Sequence, residues 1–200
     1  MKKLLLCATA FALFIASCNN DKKVTHTEKN EDGTTTTTTL DVGDMGKGAE
    51  DMNKKMEELK ALKPLSLDEL KALLPEEIAG IKRTSFNANS SMGFSVSQGE
   101  YKKDDSTEID VAIYDGAGEM GAGMYGMMYL TKMNMQSESS DGYTKTIDFK
   151  GGKAVETYEK NNNQTTLTYL ANDRLLIVIT GKNVDNAALR QVAENLNLKV

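Results

Sequence analysis

Four short segments near the C-terminal end, 143–150, 153–160, 165–171 and 174–181, follow one another through links of only a few residues, and this spacing constrains the fold more than any other feature. The links are Gly151-Gly152, Asn161-Asn162-Asn163 and Asn172-Asp173. Such connections are too short for a parallel crossover, so the segments read as antiparallel strands joined by tight turns. Leu175 to Ile179 is apolar on both faces, which predicts a central strand.

A hairpin with one buried face is predicted upstream. Met92, Phe94 and Val96 alternate with small polar residues, as do Ile109, Val111 and Ile113, and the polar Lys102 to Ser106 lies between the two runs. A helix over 66–74 has clear ends, with a capping box at Ser66 and Glu69, a hydrophobic staple at Leu65 and Leu70, and Pro75 as the stop. Ala188, Leu189, Val192 and Leu196 form an apolar stripe on a closing helix over 184–196. The expected fold is α+β, an antiparallel sheet of about six strands covered by helices, over 64–200. The hairpin into Leu175 to Thr180 and the helix ending Ala193-Glu194-Asn195-Leu196 resemble the closing unit of the Mog1/PsbP-like fold of several bacterial lipoproteins. That resemblance brings no functional residue with it.

Residues 1–17 read as a secretory signal: Lys2 and Lys3, an apolar run from Leu4 to Ala16, then small residues. The run is too short to span a bilayer as a mature helix. Ile15-Ala16-Ser17-Cys18 resembles the lipobox of bacterial lipoproteins, which implies cleavage before Cys18 and acylation of that cysteine. The expected location is the cell envelope, held to membrane lipid by acyl chains. Asn19 follows the lipid cysteine where enterobacterial sorting retains proteins carrying Asp, so the outer membrane is favoured where that rule applies.

Residues 18–43 contain six consecutive threonines, Thr34 to Thr39, and little apolar surface. One reading is a lipid-attached tether, since so few apolar groups do not offset the entropy of ordering. The other is a hairpin, with 24–29 and 34–40 flanking Asn30-Glu31-Asp32-Gly33. Over 44–63, Met45, Ala49, Met52, Met56 and Leu59 recur at spacings of four and three, which predicts an amphipathic helix. It docks on its own domain or serves as a mobile spacer; a partner-binding helix is the alternative.

Several chemistries have little material. Of the two cysteines, Cys7 leaves with the signal and Cys18 is alkylated on this reading, so neither a disulfide nor a thiol nucleophile is expected. The single histidine, His26, lies in the polar stretch. Loss of Lys2 and Lys3 takes Lys+Arg from 24 to 22 against 29 Asp+Glu, so the formal charge moves from -5 to -7. An acidic body of this kind does not suit nucleic acid. Neither a calcium-binding acidic loop nor a phosphate-cradling loop followed by Lys-Ser/Thr is present, and no cofactor is implied.

The stretch 116–136 is the most distinctive. On a helix, Met120, Met124, Met127 and Met128 share one side, where thioethers suit Cu(I) or Ag(I). Packing against the sheet is the favoured account, because methionine fills irregular gaps and glycines allow close approach. A helix that opens onto a soft binding groove is a third. Asp105-Ser106-Thr107 resembles the acceptor sequence of protein O-glycosylation in Bacteroidota, with Ser106 as the acceptor; turn chemistry explains the same residues. The leading expectation is a membrane-anchored envelope lipoprotein acting as a non-enzymatic binding module, with an envelope protein as a possible partner. The alternatives are soft-metal binding through the methionine helix and a hydrolase working through Asp and Glu alone.

Overall fold

The computed structural model describes residues 23–29, 35–41, 45–91 and 93–200. The lipobox and Cys18 lie outside them, as do residues 30–34 and Met92. In chain order the elements are β1 (Lys23–Lys29), β2 (Thr35–Asp41), α1 (Met45–Lys60), α2 (Leu67–Leu73), β3 (Glu77–Ile78), β4 (Ile81–Ser91), β5 (Phe94–Lys102), β6 (Glu108–Asp115) and α3 (Gly118–Tyr129). A 3-10 turn at Leu130–Lys132 leads to β7 (Met135–Ser139), β8 (Gly142–Phe149), β9 (Gly152–Glu159), β10 (Gln164–Ala171), β11 (Leu175–Lys182) and α4 (Asn186–Asn195).

The expected sheet of about six strands covered by helices is overturned. The described residues build one antiparallel sheet of eleven strands, ordered β1-β2-β7-β8-β9-β10-β11-β6-β5-β4-β3, with four short helices. The five added strands, β1 to β4 and β7, are rich in Thr, Asn, Ser and Glu, residues without a strong apolar alternation. Their pairing partners, not their own pattern, make them strands. β4 pairs with β5 through Phe86↔Gly99 and Ser91↔Phe94, and β7 pairs with β8 through Ser137↔Thr144.

Of the two readings of the threonine stretch, the structure has the hairpin. β1 and β2 pair from Lys23↔Asp41 to Lys29↔Thr35, and β2 then joins β7 at Thr38↔Ser137. A row of facing hydroxyl residues continues the register across the sheet: Thr38, Ser137, Thr144, Thr157, Thr166 and Thr180. Within it Thr144 and Thr157 hydroxyls meet at 3.1 Å, and those of Thr166 and Thr180 at 3.3 Å. Cross-strand pairs of this kind contribute about 0.2–1 kcal/mol each, enough to set register where apolar burial is sparse.

The central strand β11 separates two packed layers. Leu175, Ile177 and Ile179 face Leu70, Leu73, Leu189 and Val192 of α2 and α4, together with Ile109, Ile113, Leu167 and Tyr169. Leu176, on the opposite face, joins Leu170 and Tyr114 beneath Leu59 and Met56 of α1 and Ala122 and Tyr125 of α3. α2 begins as the sequence predicts: the Glu69 amide donates to Ser66 Oγ at 3.4 Å and the Ser66 amide donates to Glu69 Oε2 at 2.8 Å. Gly121 lets α3 approach the end of β6, since a Cβ there would lie 2.6 Å from the Asp115 carbonyl oxygen. Among the described residues no helix is long and apolar enough to cross a membrane.

Candidate functional site

Two buried carboxylates tie the fold together. Asp115, fully buried at the end of β6, accepts Arg174 Nε at 2.7 Å on one oxygen and Arg174 Nη2 at 2.9 Å on the other. It also accepts the Leu65 amide at 2.8 Å and the Ala117 amide at 3.0 Å. Arg174 Nη2 reaches the Lys63 carbonyl at 3.1 Å, so one side-chain pair joins the segment before α2, the start of α3 and the start of β11.

Glu156, 1% exposed on β9, receives Arg190 Nη2 of α4 at 2.5 Å, Tyr143 hydroxyl at 2.9 Å, Asn186 Nδ2 at 3.1 Å and Lys145 Nζ at 3.2 Å. Burial alone would push its carboxyl up. The hydrogen bonds from Arg190, Tyr143 and Lys145 outweigh that and hold it below the ordinary range. This network clamps α4 onto the sheet.

A third group of acids lies on the sheet face opposite α2 and α4. Glu100, Glu108 and Asp110 bring one carboxylate oxygen each to within 4.8 Å of one another. Lys102 pairs with Glu100 and lies 3.5 Å from Glu108, supplying part of the positive charge that a cation would bring. Contact with the Glu100 carboxyl, then burial, pushes Glu108 up; burial and Glu100 push Asp110 up. The three come from neighbouring strands of one face, paired as Glu100↔Asp110 and Lys102↔Glu108. Glycan-cleaving pairs face each other across a cleft.

The methionines of α3 divide between surface and interior. Met120 is 52% exposed and Met127 71% exposed, while Met124 packs in the cluster of Leu59, Tyr125, Met52 and Met56. The Met128 side chain lies outside the described part of the structure. Ser106 sits on the exposed β5–β6 turn, where its hydroxyl donates to Asp104 Oδ1 at 2.7 Å. The Ser106 and Thr107 amides donate to the same oxygen at 2.9 and 2.8 Å. These bonds, led by the Ser106 hydroxyl, hold the Asp104 carboxyl down at about 2.

A groove with a cavity volume of about 570 Å³ runs between the β8–β9 turn and the segment after α4. Lys150, Lys153 and Lys199 line it over a floor that includes Phe149, Tyr169 and Leu198, and no acidic residue belongs to the lining. The Phe149 and Tyr169 rings meet edge-on at 5.1 Å. Lys150 Nζ donates to the Ala193 carbonyl at 3.2 Å, and Lys153 Nζ lies 3.2 Å from Asp148 Oδ1. Sequence reasoning missed this site because Lys150 and Lys153 read as the ends of two strands flanking Gly151-Gly152, and 197–200 simply follow the closing helix. The cluster of lysines exists only once α4 packs over β10 and β11 and brings the segment after it beside the β8–β9 turn. No protein-family model matches the chain, and comparison with curated proteins and with solved structures returned no match.

Proposed function

We propose that the protein is a cell-envelope lipoprotein, acylated at Cys18, whose folded body works as a non-enzymatic binding module. The address rests on Ile15-Ala16-Ser17-Cys18 and the leader before it. One observation carries the choice of binding over catalysis: Asp115 and Glu156, the carboxylates most deeply buried, each hold several elements together through Arg174 and Arg190. Groups committed in this way are not poised to move protons on a substrate. Asn19 favours the outer membrane, and an envelope protein is the natural partner class.

Mass spectrometry of the membrane-extracted protein tests the address. Acyl mass on a chain beginning at Cys18, and a Cys18→Ala variant that becomes unprocessed or soluble, is the expected result. A chain without lipid would overturn it. Recovery of no envelope partner by crosslinking in intact cells, with no phenotype on deletion, would count against the binding role.

A second reading follows from the surface position of Met120 and Met127, whose thioethers are accessible to Cu(I). Titration of Cu(I) against a competing chelator decides it. Unchanged affinity in Met120→Leu/Met127→Leu would remove the metal reading.

A further inference from the structure

We infer that the groove between the β8–β9 turn and the segment 196–200 binds an amphiphilic anion, with its charged head at Lys150 and Lys199 and its apolar body along Phe149, Ala171 and Leu198. This deepens the binding-module reading by naming a ligand class. The chain carries 29 acidic residues against 24 basic ones, yet this groove is lined by three lysines and no aspartate or glutamate. A local field of that sign, over a floor of rings and aliphatic groups, selects one negative charge joined to an apolar body. Lys153 is already drawn toward Asp148, which leaves Lys150 and Lys199 as the principal head-group contacts.

The backbone supplies an independent observation. Lys150 and Gly151 occupy the two-residue turn between the paired Phe149 and Gly152, at φ +50° and +76°. Positive φ at both central positions is the requirement of a type I′ turn, where Asn-Gly and Gly-Gly are the favoured pairs. A lysine held there is strained relative to either alternative. The turn holds Lys150 at the groove rim. One of its three ammonium protons goes to the Ala193 carbonyl at 3.2 Å, at the end of α4, and two remain for an incoming oxyanion.

Octanoate is a suitable probe, titrated into the full chain in the detergent used for extraction and followed by amide NMR shifts. Saturable shifts at Lys150, Gly151, Asn197 and Lys199 are expected with octanoate, and weaker ones with octanol and with octylammonium. Lys150→Asn/Lys199→Gln is expected to lose octanoate affinity by about tenfold or more, since each charged hydrogen bond removed is worth that much. Lys150→Asn alone should raise the midpoint of thermal unfolding while weakening binding, a trade that a purely structural lysine would not show. Equal binding of octanoate and octanol, no shifts at these residues, or full affinity in the double variant would overturn the proposal. The wild-type comparison of the three probes decides the matter even where a variant fails to fold. A negative result leaves acylation at Cys18 untouched, and loss of the acyl mass leaves the octanoate result untouched, so the two readings fail separately.

Discussion

Replacing Asp115 by alanine should be among the most damaging single changes in the protein. The side chain is fully buried and accepts four hydrogen bonds, from the Leu65 and Ala117 amides and from two Arg174 nitrogens. Its loss leaves two buried amides without an acceptor, at about 1–3 kcal/mol each. It also leaves Arg174, whose side chain is only 16% exposed, without its counter-ion. Breaking a buried pair from one side costs about 3–5 kcal/mol. These terms overlap, because Arg174 keeps the Lys63 carbonyl and can turn toward the neighbouring groove. A net loss of about 4 kcal/mol or more is expected, a large share of the 5–15 kcal/mol typical of a domain. Urea unfolding followed by circular dichroism measures it.

A double-mutant cycle with Arg174→Met isolates the charge. Asp115→Ala/Arg174→Met should cost less than the two single changes together by about 2 kcal/mol, since no uncompensated cation remains. A loss below about 1 kcal/mol for Asp115→Ala, or strict additivity, would refute the account of this residue as the tie between α2, α3 and β11.

Other outcomes follow from the same reasoning. The Glu156 carboxyl is held below its ordinary value in the folded state, so its stabilising contribution is present above the unfolded value near 4.5 and is lost as pH falls through the folded one. Glu156→Gln should therefore flatten the acid side of the stability–pH curve, and an unchanged acid limb would argue against the network. At Gly142, with φ +152°, a Cβ would fall inside the van der Waals envelope of the Tyr158 carbonyl oxygen. Gly142→Ala is expected to cost about 3 kcal/mol or more, read from its urea midpoint. Ser106→Ala should return the Asp104 carboxyl from about 2 toward the ordinary range, a shift visible by carbon-detected NMR titration.

Local chemistry was legible in the chain wherever one residue or one alternation decides the outcome. Ser66 and Glu69 cap α2 because both partners lie within one turn, and Leu175 to Ile179 is central because it has no polar face to give to water. The hairpins from β8 to β11 follow from links too short for any other connection. Sheet size was not legible. β4, with its Asn and Ser, and the threonines of β2 carry no apolar period, and they become strands because β5 and β7 present open backbone edges to them. The same holds for the polar clusters. Glu156 and Arg190 are thirty-four residues apart, Asp115 and Arg174 fifty-nine, and the three groove lysines come from a turn, a strand end and the chain's last segment. Short-range pattern determines element type because its causes act within a few residues. Which charges meet, and on which face, depends on strand order and on where α4 crosses the sheet, and only the tertiary structure decides those.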